Sequence, residues 1–445
     1  MPSIRRFAMY LLLAAALQAA RAENLLDIAN LAATRDPQFR SIEASYQAVK
    51  EQRVQARANL MLPRVEAGMH TEYNDQDITS SFSFGTLGNS DSASFNSRGW
   101  SINLRQPVYH YDRWIELKQA DSRIVQADLS VSAARQDVMI RASERYFEVL
   151  AAQDDLEFAR AEKTALARQL EQAQQRFEVG LIAITDVQEA QAGYDAAVAQ
   201  EILAQNSLDN AFDALSELTG QAHNAVTPLG EAMPLATPEP AVLEQWTETA
   251  LKQNLKLRQA IAAADTAEQE ITRQRAGHHP SLDVVGSRGD QRTGGRFGQT
   301  DTDAAVIGLE LTVPIYAGGQ IVSRTREAEH RHRAALEDLE RERRAAERTT
   351  RTAYLGIISG VSRVKALAQA VVSAQTAVTA TAAGFEVGTR TSVDVVTAER
   401  ELFRSKRDYA RARYDYILNT LRLKQAAGTL ATQDVATVNS WLAPR

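Results

Sequence analysis

A stretch of 67 residues without glycine or proline dominates the first half of the sequence, from Arg113 to Val179. Apolar residues recur in it every seven positions, at Leu117, Ile124, Val131 and Val138. An alanine stands three positions after each of the first three, at Ala120, Ala127 and Ala134. A sustained seven-residue repeat predicts left-handed coiled helices, and alanine along the seam lets them lie close together. At about 1.5 Å per residue the helix would be roughly 100 Å long, which suits a strut or a tube wall rather than a globule.

The second half of the chain contains a counterpart of this stretch, over about 320–387. Both stretches end in matching segments 208 residues apart, FEVGLIAITDV at 177–187 and FEVGTRTSVDV at 385–395. In each segment a glycine, Gly180 or Gly388, is expected to end a helix in the left-handed conformation. The Thr, Ser and Asp residues that follow are expected to cap a new helix. Each segment is therefore predicted to be the tip of a helical hairpin.

The remaining segments also occur twice, in the order short helix, strand, strand, long helix, tip, short helix. In the first half the helix covers about 24–62, the strands cover 64–73 and 100–107, and a loop covers 74–98. In the second half the helix covers about 241–277, the strands cover 281–287 and 304–313, and the loop covers 289–298. Four prolines mark the predicted helix–strand junctions: Pro63, Pro107, Pro280 and Pro314. The apolar–polar alternation at 100–107 is typical of a barrel strand, although a small soluble hairpin would show it equally well.

These observations divide the chain into five segments. We expect a signal peptide at 1–22, a first structural repeat at 23–220, a proline-rich linker or small equatorial cap between the halves at 221–240, a second repeat at 241–428 and a C-terminal tail at 429–445. The signal peptide is predicted from Arg5 and Arg6, the apolar run 7–17 and the cleavage pattern Ala20-Arg21-Ala22. Its removal changes the formal net charge from -6 to -9, and an acidic chain argues against nucleic acid as a partner.

The absence of cysteine excludes disulfides, and it leaves no thiol for a lipid anchor after the signal peptide. We find no apolar run of about 18 residues after the signal peptide, so a membrane-inserted form would have to be a closed β-barrel. Four strands per chain are too few to close a barrel, whose minimum is about eight. Three chains would supply twelve strands above a ring of long helices.

The tips resemble those of the TolC family of outer-membrane channel proteins. The resemblance is carried by Gly388-Thr389-Arg390-Thr391 with Val393-Asp394-Val395, and by Ala183-Ile184-Thr185-Asp186-Val187 in the first half. The duplicated layout from about Asn24 to Gly428 is similar as well. The resemblance implies a mainly α protein with a small β part: a homotrimer with a twelve-stranded barrel in the outer membrane, continuous with an α-helical tunnel across the periplasm.

The resemblance also implies a function, that of a passive exit duct for type I protein secretion or multidrug efflux, with no enzymatic activity and no cofactor or metal. Expected partners are outer-membrane lipid, a periplasmic adaptor (membrane fusion) protein and an inner-membrane ABC or proton-driven transporter. A periplasmic coiled-coil structural or adaptor protein without a membrane barrel is the alternative. The sequence does not distinguish a protein toxin, an enzyme or a drug as cargo.

The resemblance assigns roles to residues at the tips. Arg390 would bind Thr185 and Asp186 across the closed periplasmic entrance, and three copies of Asp394 would form an acidic ring; ordinary helix caps are the simpler interpretation of the same residues. The docking points for an adaptor would be the two turns, Val179-Gly180-Leu181 and Val387-Gly388-Thr389. The family has a tyrosine where Phe385 stands and a second aspartate where Thr397 stands. We hypothesise that Glu189, the counterpart of Thr397 in the first half, carries part of the missing charge.

Overall fold

The computed structural model describes residues 22–78, 91–231, 233–294 and 298–443. The chain forms two compact units. The first runs to Ala44 and includes Leu129–Gln259 and the chain from Glu340 onwards, and the second comprises Ser45–Asp128 and Ala260–Leu339. Each unit draws on both halves of the sequence, so neither sequence repeat is a folding unit by itself. The predicted signal peptide falls on residues 1–21, which lie outside the described residues, and on Ala22.

The described part of the chain contains nine α-helices and four strands. In chain order they are α1 (Leu25–Arg35), α2 (Pro37–Met61), β1 (Arg64–Ile78), β2 (Asp91–Tyr109), α3 (Tyr111–Glu178), α4 (Ile184–Thr219), α5 (Leu243–Gln253), α6 (Leu255–Arg275), β3 (Ser281–Thr293), β4 (Thr300–Thr312), α7 (Gln320–Glu386), α8 (Ser392–Ala426) and α9 (Thr432–Asn439). The long helices α3 and α7 have 68 and 67 residues. The mainly helical, duplicated fold predicted from the sequence is confirmed, whereas α9 was not predicted.

The prediction of one continuous helix before the strands is wrong in both halves. In the first half the helix breaks at Asp36 (ψ 118°), because the following Pro37 disfavours the helical conformation at the residue before it. In the second half it breaks at Asn254 (ψ 123°) without a proline. Both residues then cap the next helix: Asp36 accepts from the N–H of Phe39 at 3.0 Å, and Asn254 from the N–H of Leu257 at 3.0 Å.

The strands are longer than predicted, since residues 74–78, 91–98 and 289–293, expected in loops, lie in β1, β2 and β3. The sheet is antiparallel in the order β1-β2-β3-β4, so its central pair joins the two halves of the chain. The register sorts the side chains into two faces. One face is apolar near the helices: Val65 with Leu104, Ala67 with Ile102, Met69 with Trp100, Leu282 with Leu311 and Val284 with Leu309 are directly opposite one another.

The opposite face of the sheet carries an ion network that links three strands. The guanidinium of Arg105 on β2 donates to Asp283 on β3 and to Glu310 on β4, each at 2.9 Å. His110 Nε2 lies 3.0 Å from the second carboxylate oxygen of Asp283. Ser101, Asn103 and Ser287 lie on the same side, so this face is mainly polar, with Val285 and Val306 as exceptions. An apolar face opposite a polar face is the pattern expected of a barrel wall between lipid and an aqueous lumen.

The core of the first unit lies where α1, α3, α4, α7 and α8 meet. Its largest fully buried apolar and aromatic side chains include Leu25, Ile28, Tyr146, Phe147, Leu215, Ile357, Ile417 and Leu421. Tyr146 donates its hydroxyl proton to the carbonyl of Thr227 at 2.6 Å, which ties the proline-rich segment to α3. That segment therefore packs on the helices rather than acting as a free linker.

One helix of the described residues, α7, contains an 18-residue stretch that could span a membrane by length and composition alone, with a mean hydropathy of 1.4. We expected no apolar run of about 18 residues after the signal peptide, and this expectation is wrong, because the composition of this stretch is apolar enough to span a membrane. The stretch is weak evidence for a membrane span, since it belongs to a 67-residue helix that also carries Arg324, Arg344 and Arg351.

Asp36 provides a test of the helix break, because its side chain is 4% exposed and its Oδ2 lies 2.7 Å from Arg141 Nη2. Burial raises the pKa of Asp36, but hydrogen bonds from Arg141 and from the N–H of Phe39 outweigh burial and lower it overall. We expect Asp36→Asn to destabilise the protein at pH 7 by about 2–3 kcal/mol. The ionised carboxylate of Asp36 stabilises the folded protein fully at pH values above the ordinary aspartate pKa of about 3.9. This stabilisation is lost as the pH falls through the lower pKa that Asp36 has in the folded protein.

The measurement is the melting temperature by circular dichroism at pH 7 and in acid, where the difference between the variant and the wild-type protein should shrink. Asp137→Asn is the matched control. Asp137 contacts the same Arg141 at 2.8 Å, but its side chain is 47% exposed, so it should cost less than about 1 kcal/mol. Equal losses in the two variants would contradict the assignment.

Candidate functional site at the helix tips

The two predicted tips have the same backbone hydrogen bonds. At the first tip the N–H of Gly180 donates to Phe177 and that of Leu181 to Arg176, both at 2.9 Å. At the second tip the N–H of Gly388 donates to Phe385 at 3.2 Å and that of Thr389 to Gly384 at 2.8 Å. Both glycines are left-handed, with φ of 77° and 78°. Each long helix therefore ends in a Schellman-type turn.

The caps of the next helices differ between the tips. At the second tip the carboxylate of Asp394 accepts hydrogen bonds from the N–H of Thr391 at 2.9 Å and from its hydroxyl at 3.0 Å. These hydrogen bonds lower the pKa of Asp394. At the first tip the capping residue is Ala183, which has no side-chain oxygen. The carboxylate of Asp186 therefore accepts a hydrogen bond only from the backbone N–H of Ala183, at 3.3 Å. The expectation that Thr185 helps to cap this helix is wrong, because it lies inside α4.

The turns expose apolar side chains that a helix tip in water has no reason to carry. Val179 is 70% exposed, Leu181 72% and Val387 75%. All three belong to the predicted adaptor-docking turns. An exposed apolar cluster of this kind is typical of a binding surface.

The predicted gate residues lie on these tips but are not joined within one chain. Thr185 and Glu189 are exposed on α4, and Asp186 is half-buried. Among the described residues, no hydrogen bond or ion pair connects Arg390 with Thr185 or Asp186. Instead the N–H of Arg390 donates to Gly384 at 3.2 Å, and its side chain packs against that glycine, where an added Cβ would lie 2.7 Å from Arg390 Cγ. Sequence reasoning missed Gly384, although a glycine four residues before Gly388 was a visible signal.

The two tips touch each other through a pair that the sequence analysis also missed. The guanidinium of Arg176 lies over the ring of Phe385, 4.3 Å from its centroid. Arg176 Nη1 also donates to the carbonyl of Phe385 at 3.5 Å. Phe385 is 7% exposed, so its ring is enclosed where the two hairpins meet.

The four predicted junction prolines occupy different positions relative to the strands. Pro63 precedes β1 and Pro280 precedes β3, whereas Pro314 follows β4 by two residues. Pro107 lies inside β2, at the irregularity where the register with β3 shifts between Pro107 and Tyr109. A bulge tolerates proline because the ladder is interrupted there.

The sequence profile of the outer membrane efflux protein family matches residues 28–221 and 246–429, one match in each half of the chain. The chain belongs to this family. It is 40% identical over 434 residues to the outer membrane protein TolC of Vibrio cholerae, covering 95% of this chain and 94% of that protein. It is 31% identical to the alkaline protease secretion protein AprF of Pseudomonas aeruginosa, covering 93% and 86%.

Solved structures of the family share the fold. The CmeC outer membrane channel of Campylobacter jejuni superposes with a TM-score of 0.78 at 16% identity, over 95% of this chain and 90% of that one. Family membership identifies the chain as an outer-membrane efflux or secretion channel rather than an enzyme, which confirms the function and location predicted from the tips. It also decides against a periplasmic scaffold without a barrel. Channels of this family are trimers that work in tripartite systems.

Gly388 tests the turn at the second tip. No atom lies within 4 Å of a Cβ added at Gly388, so Gly388→Ala should cost only the strain of a left-handed alanine, about 1–2 kcal/mol. Gly428 has the same backbone conformation, with φ of 77°, but an added Cβ would collide with the carbonyl of Gln253. We therefore expect Gly428→Ala to lower the melting temperature much more than Gly388→Ala. Equal shifts would show that the tip is more tightly packed than the structure indicates.

Proposed function

We propose that the two tips form the periplasmic entrance of the channel and that side chains on them control its opening. The observation that carries this proposal is that Val179, Leu181 and Val387 are 70–75% exposed on the two turns. The second turn is followed by Arg390, whose guanidinium makes no ion pair within 4 Å with Asp186 or with any other carboxylate of the described residues, although its charge acts on Asp394. Such a surface is suited to contacts with other chains rather than to isolation in water.

The sheet supports assembly from three chains. In the described residues β1 pairs only with β2 and β4 only with β3, so both edges of the sheet are open. Open edges cannot persist in hydrocarbon, where each unpaired backbone group costs several kcal/mol. Pairing of β4 with β1 of the next chain would close a barrel of twelve strands.

In the assembled entrance, Arg390 of one tip would donate to the hydroxyl of Thr185 and the carboxylate of Asp186. An arginine–carboxylate contact that is partly removed from water contributes about 1–3 kcal/mol. Three such contacts around the axis would hold the entrance closed. Asp394, in the first turn of α8, would add an acidic ring, and Glu189 on α4 would contribute charge beside it.

The exposed turns, Val179-Gly180-Leu181 and Val387-Gly388-Thr389, would dock a periplasmic adaptor. Their regular helix–turn–helix shape suits the helical hairpin tips of a partner, because apolar side chains of both partners would then leave water together. The described residues include no nucleotide-binding motif, so the energy for transport would come from an inner-membrane ABC or proton-driven transporter joined through that adaptor.

Removal of the gate cation should open the channel. We expect Arg390→Ala to raise single-channel conductance in planar bilayers several-fold, with the double variant Arg390→Ala, Asp186→Asn no more conductive than Arg390→Ala alone. Arg404→Ala, which removes an exposed arginine on α8, is the control and should conduct like the wild-type protein. Conductance that is unchanged by Arg390→Ala would overturn the assignment of the gate.

The acidic ring should determine ion selectivity. Asp394→Asn should reduce both the preference for cations and the block by multivalent cations. Hydrogen bonds from Thr391 lower the pKa of Asp394 and so favour its charged form, and the wild-type ring should lose its selectivity when acid protonates these carboxylates. Glu189→Gln should reduce both properties more weakly. If Glu189→Gln leaves both unchanged, the ring consists of Asp394 alone.

The cargo follows from a deletion experiment. A strain that lacks the gene is assayed in parallel for proteins in the culture medium and for sensitivity to drugs. The resemblance to a protease secretion protein favours loss of a secreted protein. Increased drug sensitivity with normal secretion would assign the channel to efflux instead.

A further inference from the structure

Two acids stand directly opposite each other on the polar face of the sheet, at the end nearest the helices. Asp283 on β3 is the register partner of Glu310 on β4. Both lie close to the strand ends, since β3 begins at Ser281 and β4 ends at Thr312. Like charges at directly opposite positions destabilise an antiparallel pair of strands. This arrangement therefore needs a cation beside it.

Arg105 supplies that cation from the adjacent strand. One of its terminal nitrogens donates to Asp283 and the other to Glu310, each at 2.9 Å, so a guanidinium on β2 reaches past β3 to β4. The side chain of Asp283 is only 8% exposed, whereas those of Arg105 and Glu310 are 51% and 45% exposed. We call these three residues the charged triad.

The charged triad is not neutral. It has one positive and two negative groups, so it carries one negative charge per chain, and without Arg105 it would carry two. Arg64 and Glu66 of β1 line the same depression of the sheet as Arg105 and Glu310. They lie 3.8 Å apart and offset each other's charge. Because Arg105 and Glu310 are about half exposed, the charge of the triad acts on ions in the adjacent water.

The charged triad lies at the end of the sheet where the chain enters α3. Strand β2 ends at Tyr109 and α3 begins at Tyr111, whereas the tips follow the other end of α3, at Glu178. In a barrel closed from three chains the polar face lines the lumen, so three triads would form a ring that is separate from the entrance. Rings of charged side chains in a pore control the ratio of cations to anions that pass.

We propose that Arg105 is a selectivity-determining residue of the channel at the end of the barrel that adjoins the helices. By offsetting part of the charge of Asp283 and Glu310, it keeps the ring of triads weakly negative and limits the preference of the lumen for cations. This inference rests on the closure of the barrel by three chains, as proposed above, and not on the gate at the tips. An arginine with a structural role alone would hold the strands together without affecting which ions pass.

Reversal potentials in planar bilayers, recorded for every variant at one pH, test this assignment. Arg105→Gln removes the charge but keeps a polar side chain, and it should raise the permeability ratio of K⁺ to Cl⁻ by about twofold or more. Glu310→Gln makes the triad neutral and should lower the ratio. The double variant Arg105→Gln, Glu310→Gln again carries one negative charge per chain, and its ratio should return to near the wild-type value.

Arg292→Gln is the matched control. Arg292 on β3 is 45% exposed and lies 3.4 Å from an acid on β4, Asp301, but its position in the register places it on the opposite face of the sheet from Asp283. The same loss of charge at Arg292 should leave the permeability ratio unchanged. An Arg105→Gln channel with the same ratio as the Arg292→Gln channel would overturn the proposal.

Two further measurements separate charge from a change in the shape of the lumen. The screening length falls from about 10 Å in 0.1 M salt to about 3 Å in 1 M salt, so the effect of Arg105→Gln should shrink in 1 M KCl. Arg105→Lys keeps the charge but not the planar group that binds two carboxylates. It should keep the wild-type ratio while the trimer melts at a lower temperature. An effect that does not depend on salt, or an altered ratio in Arg105→Lys, would contradict the proposal.

The outcomes distinguish this proposal from the closure of the barrel. A wild-type protein that forms no channel in bilayers would overturn the closure, and the role of Arg105 with it. A conducting wild-type protein whose selectivity does not respond to Arg105→Gln would leave the barrel in place and overturn the role of Arg105 alone. If repulsion between the facing acids prevents assembly of Arg105→Gln, the same comparison is made in the Glu310→Gln background, where Asp283 has no facing acid. Loss of Arg105 should raise the ratio there as well, and an unchanged ratio would overturn the proposal.

Discussion

The close packing of α3 against α4 is the interaction on which the site depends. Alanines at Ala159, Ala173, Ala190 and Ala204 allow the two backbones to approach more closely than leucine would, and burial on both helices makes the pair resistant to separation. The turn at Gly180 is therefore held at the end of a stiff support. A stiff first hairpin would give the proposed gate a fixed surface on one side.

Helix caps explain why a chain with such long helices also contains short ones. Asp36 and Asn254 occupy comparable places in the two halves, and each ends one helix and begins the next with its own side chain. Asp36 in addition binds Arg141 on α3. The first break is thus tied to α3 by the side chain of Asp36, and the second is tied to the end of α8 by Asn254, which donates to the carbonyl of Ala426 at 2.8 Å.

The sequence was sufficient for the features that depend on local chemistry. Glycine conformation predicted both tips at Gly180 and Gly388, and the seven-residue spacing predicted α3 to within two residues at each end. The strand ends were underestimated because Gly289–Thr293 and, apart from Phe95, Ser92–Ser97 are polar or small on both faces. Their pairing therefore depends on the partner strand rather than on alternation. The contacts of Gln169 with Ser392 and of Arg176 with Phe385 join residues more than 200 positions apart, and nothing local to either partner indicates the other.

The pairing of β2 with β3 has a consequence for how the channel assembles. It makes the contact between the two halves of the chain intramolecular, whereas the equivalent contact between β4 and β1 has to form between separate chains. If the two halves were separate chains of two strands each, six molecules would have to meet to close the barrel, each with two open sheet edges. Fusion of the halves reduces this encounter to three molecules, which lowers the kinetic order of assembly and halves the number of exposed edges that unassembled chains present to one another.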